Sequence, residues 1–289
     1  MTTSAQAATA RAGTSRRPGA GRTPVSRYRQ TVRLLRTELV LFYRYRVALF
    51  FAAFPLMFVA FALPLEGQEP VPGIDAAALN MSGIPVLAAL SLGLMHVPNV
   101  YAARREQLVL KRFRASGVAP AALFGATTLS VLLVVAVLTA VVAGIVAARY
   151  GALPADPLLV LAGVVLVTVA MSLFGIAFTR LTRNAESAQM MCIVPFMLLY
   201  GVSGLVVPLD LLPEPIAAAA ALLPTTAAAG LVRSGYWGHD LFGGVAGGEP
   251  AGFAELWTAA LPSIGILIVW TAVAVSLLRY FRWDPRQAG

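Results

Sequence analysis

The sequence has few charged side chains: Asp, Glu, Lys and Arg make up 12% of its 289 residues, against 58% hydrophobic residues. A soluble globular chain has about 25% charged residues, so half of the usual surface charge is missing. Uncharged runs close to 20 residues long recur along the chain, and about 20 apolar residues suffice for one membrane-spanning helix. The deficit of charge therefore predicts an all-α polytopic membrane protein.

Residues that carry catalysis or hold metals are also scarce. The single cysteine, Cys192, excludes an intramolecular disulfide, and the two histidines, His96 and His239, are too few for a zinc site within one chain. The only lysine, Lys111, does not belong to a GxxxxGK[ST] loop, and HExxH, CxxC and GxSxG are absent. The sequence therefore predicts no enzyme activity, no metal and no cofactor bound by this chain.

The net charge of +9 does not indicate a nucleic-acid partner, because no soluble segment interleaves basic and aromatic residues. Residues 1–26 lack the apolar core of a signal peptide, which predicts a disordered cytoplasmic tail. Over residues 27–46 two stripes recur at helical spacing. The apolar stripe is Tyr28, Val32, Leu35, Leu39 and Phe42, and the basic stripe is Arg29, Arg33 and Arg36. This pattern predicts an amphipathic helix in the membrane interface, with packing on a partner protein as the alternative.

The apolar runs predict six spans within a transmembrane domain of residues 27–281, followed by a cytoplasmic tail at 282–289. The six spans are 47–65, 84–101, 127–148, 157–179, 187–209 and 256–278. Residues 210–235 are rich in alanine with Pro224 inside, which predicts a re-entrant helical hairpin on the outer side. In this scheme 20 of the 22 basic residues lie on one side, so both termini are predicted to be cytoplasmic.

A basic loop, residues 101–125, joins the second and third predicted spans and carries five of the 22 basic residues. The uncharged run that begins inside it, 115–148, exceeds one span by roughly a dozen residues, and Pro120 lies near its start. We therefore expect a short surface helix around Val118, then a turn, and then the third span.

Two groups of residues are candidates for a substrate path. His96 and Asn99 lie one helical turn apart near the inner end of the second span, where they could equally hydrogen-bond between helices. The fifth span offers an adaptable apolar surface formed by Met191, Phe196, Met197 and Tyr200, with lipid contact or packing as the alternative. No Asp or Glu falls inside a predicted span, which disfavours an ion-coupled secondary transporter; an intramembrane enzyme is a further rival.

The basic loop resembles that of ABC-2 type transporter permease subunits, a family that includes daunorubicin-resistance-type exporters. The similar residues are Glu106 and Leu110-Lys111-Arg112-Phe113-Arg114-Ala115, followed by Val118 and Pro120. The loop departs from the family pattern at 107–109, where a Gly-Thr pair is common. Residues 201–226 and 281–285 resemble the fifth span with its hairpin and the closing tail of the same family.

The resemblance implies a coupling helix in this loop that docks on a cytosolic ATPase subunit. The implied contact residues are Glu106, Arg112, Arg114, Gly117, Val118 and Pro120, with anchoring to anionic lipid headgroups as the alternative. Two ATPase subunits holding Mg-ATP and a second permease, identical or not, would complete an exporter in the bacterial plasma membrane. Its substrate would be a hydrophobic or amphipathic drug, antibiotic or lipid, or alternatively a polysaccharide or lipid-linked glycan, bound at the dimer interface between the second and fifth spans.

Overall fold

The computed structural model describes residues 27–246 and 248–284. Within these ranges the regular structure is helical, and strand-like pairing is confined to two isolated bridges, Val71–Ile74 and His239–Pro250. The tail predicted at 1–26 and residues 285–289 of the closing tail lie outside the described residues. The all-helical class predicted from the apolar runs is confirmed for the described part of the chain.

The helices follow one another with short connections. Their bounds are α1 Arg27–Arg44, α2 Arg46–Ala62, α3 Ala76–Ser82, α4 Ile84–Leu90, α5 Val97–Glu106, α6 Val109–Ala115, α7 Pro120–Tyr150, α8 Pro157–Phe178, α9 Ala185–Gly201, α10 Glu214–Ala221, α11 Pro224–Trp237 and α12 Phe253–Leu278. Single 3₁₀ turns lie at Leu63–Leu65 and Leu209–Leu211, and a π-helical turn, Ser91–His96, joins α4 to α5.

Five helical segments of the described chain are long and apolar enough to cross a membrane. They are Arg46–Leu65, Ala76–Glu106, Pro120–Tyr150, Pro157–Phe178 and Phe253–Leu278. A sixth is reached if α10 and α11, which bend by 81° at their junction, form one broken span. α9 has 17 residues and a length of about 25 Å, against a hydrocarbon core of about 30 Å. The predicted scheme, in which α9 crosses and α10–α11 returns, therefore stays a prediction.

The second span, Ala76–Glu106, lies at the centre of the bundle, with 94% of its most apolar window buried. Its close contact with α8 depends on two glycines. A Cβ on Gly93 would lie 2.6 Å from the Cβ of Met171, and a Cβ on Gly175 would overlap the carbonyl oxygen of Gly93. Small residues at such a crossing let two helix backbones approach closely, and the packing that results is one of the forces that hold helices together in lipid.

α11 is as enclosed as the second span. Each of its residues except Trp237 is buried, and it packs against α8. Glycines again allow the approach: a Cβ on Gly163 would lie 2.9 Å from the Cβ of Leu231, and one on Gly235 would lie 2.9 Å from the Val160 amide nitrogen. A hairpin that enters the membrane without crossing it must be enclosed by protein, and α11 meets that condition.

The two ends of the bundle differ in charge. One end, here the basic end, holds the α5–α7 connection and the α8–α9 connection, with Arg112, Arg114, Arg180 and Arg183. The opposite, acidic end holds residues 66–75, 151–156 and 238–252, with carboxylates that include Glu66 and Asp156. The most exposed span is Phe253–Leu278, with 11% of its window buried, followed by Arg46–Leu65 and Pro120–Tyr150, each with 28%. Their surfaces are available to lipid or to another chain.

Candidate functional site

The surface helix of the basic loop lies earlier in the chain than predicted. α6 is Val109–Ala115, whereas Val118 belongs to the turn after it, so the prediction of a helix around Val118 is wrong. Pro120 does not interrupt a helix but begins α7, where its missing N–H and its fixed φ are favourable. The apolar run exceeds one span because α7 itself continues for 31 residues, to Tyr150.

Backbone geometry defines both ends of α6. Gly117, with φ +75°, follows its C-terminus, and a pair of hydrogen bonds closes the turn: the Val118 N–H donates to the Phe113 carbonyl at 3.1 Å, and the Gly117 N–H donates to the Arg114 carbonyl at 3.2 Å. This Schellman arrangement satisfies carbonyls at the helix end and requires a left-handed residue, usually glycine. Before α6, Leu108 adopts φ +57°, a conformation that costs a non-glycine residue roughly 1–2 kcal/mol.

α6 has one face anchored in the bundle and one face free. Leu110 is fully buried, and Phe113 and Val118 pack against the main core. On the opposite side Lys111, Arg112 and Arg114 are exposed and form no ion pair with any carboxylate of the described residues. The loop therefore presents a cationic surface on a fixed support.

The residues implied as coupling contacts are split between this free surface and the bundle. Arg112, Arg114, Gly117 and Pro120 are exposed, and Val118 is half-buried. The carboxylate of Glu106 accepts the backbone N–H of Ala185, the first residue of α9, at 3.3 Å. Negative charge is stabilising at a helix N-terminus, so Glu106 already has a partner within its own chain.

Arg105, counted with the basic loop from the sequence, belongs instead to the bundle. Its side chain is 2% exposed, and its two terminal nitrogens donate to the carbonyls of Thr179 at 2.7 Å and Thr182 at 2.5 Å, just after α8. Arginine at a helix C-terminus stabilises the last carbonyls. Counting charges by segment missed this role, because it places every arginine of a short loop at the surface. Arg105 fixes the second span to the α8–α9 connection.

The neighbouring Arg104 forms a buried ion pair that sequence reasoning also missed. Its guanidinium donates two hydrogen bonds to Glu38 of α1, at 2.6 Å and 2.7 Å, and the two side chains are only 12% and 10% exposed. The hydroxyl of Thr127, on α7, donates to the same carboxylate at 3.4 Å. Three helices therefore meet at one carboxylate. The signal available in the sequence is the position of Glu38, four residues before Phe42 on one helical face.

The inward face of α1 agrees only in part with the predicted apolar stripe. Of that stripe Leu35, Leu39 and Phe42 are half-buried, whereas Tyr28 is 77% exposed and Val32 is 45% exposed. Leu34, half-buried, and Glu38, buried, also belong to the inward face, where α1 packs along α7. α1 thus lies against its own chain. Whether its outer surface also lies in the membrane interface stays a prediction.

The candidate substrate-path residues of the second span lie in one cavity. His96 and Asn99 line a cavity of about 270 Å³ between α1, α5 and α7 at the basic end. The side-chain oxygen of Asn99 accepts the Tyr45 hydroxyl at 3.2 Å, and its amide nitrogen donates to the Ala185 carbonyl at 3.4 Å. Asn99 therefore does hydrogen-bond between helices, which was the alternative interpretation of this residue.

The candidates of the fifth predicted span lie elsewhere, beside α2. Phe196 contacts Phe54 with ring centroids 6.2 Å apart, and Tyr200 contacts Phe58 at 5.5 Å. Phe196 and Met197 line a cavity of about 190 Å³, and Tyr200 lines another of about 210 Å³ toward the acidic end. Met197 is 53% exposed and Met191 41%. The six predicted residues therefore do not form one site. Since the second span is enclosed, the exposed surface beside α9 is formed by α2.

No group of three or more His, Cys, Asp or Glu side chains within residues 27–246 and 248–284 could hold a metal ion. No curated protein matches the chain. The family model described as ABC-2 family transporter protein matches residues 51–280. This range includes α6 with its cationic face and the bent α10–α11 pair. It also includes the five candidate spans, except for the first residues of α2. The chain belongs to the ABC-2 family of transporter proteins and is a multi-pass membrane component of an ABC transporter.

Proposed function

We propose that this chain is the permease subunit of an ATP-driven exporter in the bacterial plasma membrane, with both termini in the cytoplasm. It pairs with a second permease, identical or not, and with two cytosolic ATPase subunits that bind Mg-ATP. Its substrate is a hydrophobic or amphipathic molecule, such as a drug, an antibiotic or a lipid. Membership of the ABC-2 family supports the general role, and the geometry of the basic end supports the mode of coupling.

The observation that carries the proposal is the free cationic face of α6. Lys111, Arg112 and Arg114 are exposed, while Leu110 on the other face is fully buried. A helix that receives a push from a partner needs such a support, because a loosely attached segment would move without displacing the spans. The following residues, Gly117 and Pro120, form the exposed corner that leads into α7.

Two contacts next to α6 connect it to the rest of the bundle. Arg105 joins the second span to the carbonyls after α8, and Glu106 joins it to the first residue of α9. Displacement of α6 is therefore passed to α8 and α9 as well as to the second span and α7. We propose that this movement, driven by closure of the ATPase subunits, tilts the spans and releases substrate on the outer side.

For the substrate path we propose the seam between α2 and α9, together with His96 and Asn99 at its basic end. The seam is lined by an aromatic series of α2 and α9 whose neighbouring rings lie 5.4 to 6.2 Å apart: Phe54, Phe58, Phe196 and Tyr200. Met197 borders the series, and Met191 lies nearby on the same helix. Aromatic rings and flexible thioethers suit an apolar ligand of variable shape.

The test is capture of the candidate cytosolic ABC ATPase subunit by the purified permease. The double variant Arg112→Glu/Arg114→Glu should bind it about tenfold or more weakly, because reversed charges replace attraction with repulsion at the contact. A matched control is Arg33→Glu/Arg36→Glu, which makes the same charge change on exposed arginines of α1. If the two double variants retained the ATPase equally well, the arginines of α6 would act as lipid anchors and the docking proposal would fail.

A further inference from the structure

The cavity between α1, α5 and α7, here the α1–α7 cavity, has features that transport coupling does not explain. It lies at the basic end of the bundle and measures about 270 Å³. One part of its wall is polar and the other is apolar. The polar part is formed by Glu38, His96, Asn99, Arg104, Thr127 and Ser130.

Most of the polar wall is buried. Glu38 is 8% exposed, His96 7%, Asn99 5%, and both Thr127 and Ser130 4%. The Nδ1 atom of His96 is buried and has no hydrogen-bond partner among the described residues. Burying a polar group costs free energy unless it is hydrogen-bonded. The other buried polar groups of this wall hydrogen-bond within the chain, so His96 Nδ1 is the wall atom that a polar group of a ligand would satisfy and that a lipid tail would leave without a partner.

The charges in the wall restrict which polar group fits. Glu38 and Arg104 already neutralise each other through two hydrogen bonds. A ligand with a net charge would draw one partner away and leave the other as an uncompensated buried charge, which is strongly destabilising. A zwitterion avoids this cost, because its cation can face Glu38 while its anion faces Arg104. The pair therefore favours a ligand that carries both charges close together.

The apolar part of the wall indicates that the ligand also carries a hydrocarbon chain. Leu41, Phe42, Val97 and Val131 line the same cavity. Ligand pockets usually measure about 300–1,000 Å³, so a cavity of about 270 Å³ holds a head group and the start of a chain rather than a whole lipid. The source of such a ligand would be the membrane leaflet at the basic end of the bundle.

We propose that the α1–α7 cavity binds the zwitterionic head group of a phospholipid or lysophospholipid of the phosphoethanolamine type. The phosphate lies toward Arg104, the ammonium toward Glu38, and the first methylenes of the chain along Leu41 and Val131. The lipid would share His96 and Asn99 with the proposed substrate path, and its binding to the purified chain can be measured without the ATPase and without the transported molecule.

The binding test uses the purified full chain in detergent, titrated with four probes and followed by native mass spectrometry. Palmitoyl lysophosphatidylethanolamine should bind saturably as a single equivalent. Palmitoyl lysophosphatidylglycerol, cetyltrimethylammonium and the free head group glycerophosphoethanolamine should each bind about tenfold or more weakly, since each lacks one of the matched parts. Equal binding of the anionic or cationic probe would overturn the charge argument, and equal binding of the free head group would overturn the role of the apolar wall.

Two variants show whether the bound molecule occupies this cavity. Ala103 lines it, so Ala103→Phe should fill it and abolish the preferred binding, whereas Ala136→Phe, on the exposed face of α7, should not. Glu38→Gln keeps the side-chain shape but leaves Arg104 uncompensated. The preference should then reverse, so that lysophosphatidylglycerol raises the unfolding temperature more than lysophosphatidylethanolamine does. Unchanged binding in Ala103→Phe, or an unreversed preference in Glu38→Gln, would overturn the proposal.

Discussion

Two arginine–glutamate pairs of similar geometry lie at opposite ends of the bundle. At the basic end Arg104 holds Glu38 with two hydrogen bonds, and at the acidic end Arg149 holds Glu66 in the same way. The arginine and glutamate side chains of the first pair are 12% and 10% exposed, whereas those of the second are 51% and 35% exposed. Both pairs join the same two kinds of side chain, and they differ in how far water can reach them.

This difference decides what each pair does. Water can replace either partner of the exposed pair, so its contribution to stability is small and is screened by salt. In the buried pair water has little access, and no other charged side chain of the described residues pairs with either partner, so separating the two charges is costly. The Glu38–Arg104 pair therefore fixes the position of α1 against the second span, next to the α6 surface. The exposed pair only connects the end of α7 to the loop after α2.

The largest expected effect comes from breaking the buried pair on one side. Arg104→Met leaves Glu38 buried and uncompensated, so we expect a loss of about 3–5 kcal/mol in the free energy of unfolding. The double variant Glu38→Leu/Arg104→Met should recover most of that loss, because apolar replacement of a whole buried pair is often neutral or stabilising. Denaturant unfolding of the purified chain in mild detergent measures both values.

The matched control at the acidic end is Arg149→Met, which removes an arginine from the same kind of pair in contact with water. It should change the unfolding midpoint far less than Arg104→Met does. If the two single variants lost the same stability, or if the double variant were as unstable as Arg104→Met alone, burial would not be what distinguishes the pairs.

A smaller loss of stability is expected from a change at the contact between α8 and the second span, which carries Arg104. Gly93→Ala would place a Cβ 2.6 Å from the Cβ of Met171 and push the second span away from α8. Overpacking of this kind costs about 1–3 kcal/mol. Gly144→Ala, in α7, meets nothing within 4 Å, and we expect it to gain about 0.5–1 kcal/mol, because alanine is favoured over glycine inside a helix. Equal destabilisation by both changes would contradict the close crossing of the second span and α8.

The lengths of the uncharged, apolar runs correctly predicted the spans that are bounded by charged or turn-forming residues. The first, fourth and sixth predicted spans agree within three residues with Arg46–Leu65, Pro157–Phe178 and Phe253–Leu278. The bent pair α10–α11 also lies where residues 210–235 predict a helical hairpin, because a sequence with Pro224 near its middle does not favour one straight helix. These features depend on local composition, which the sequence states directly.

The remaining features depend on partners that are distant in sequence. The second span continues to Glu106 because Arg105 and Glu106 find hydrogen bonds beyond their own helix, so hydropathy underestimates its length there. At its other end it begins at Ala76, where the Asp75 carboxylate caps the helix. α9 ends at Gly201, earlier than predicted, although the residues that follow are still apolar. The Glu38–Arg104 pair spans 66 positions of sequence and is invisible to any periodicity. Hydrophobicity predicts which segments are buried but not which polar groups meet inside.

The smallest expected effect is the contribution of the exposed Arg149–Glu66 pair to the pH dependence of stability. Hydrogen bonds from Arg149 and then from Tyr150 lower the pKa of Glu66 to about 2. A carboxyl with a depressed folded-state pKa stabilises the fold fully above its unfolded pKa of about 4.3, and this contribution is lost as the pH falls toward the folded value. The unfolding temperature of the native chain should therefore drop between about pH 4 and pH 2 by slightly more than that of Glu66→Gln, which carries no such proton-linked term. Glu66→Gln also replaces the ion pair with neutral hydrogen bonds, which shifts its unfolding temperature by an amount that does not depend on pH, so the two pH profiles should run parallel above pH 5 or so. Identical profiles over the whole acid range would mean that Glu66 is not paired with Arg149 in solution, and the acidic end would then lack a counterpart to the pair at the basic end.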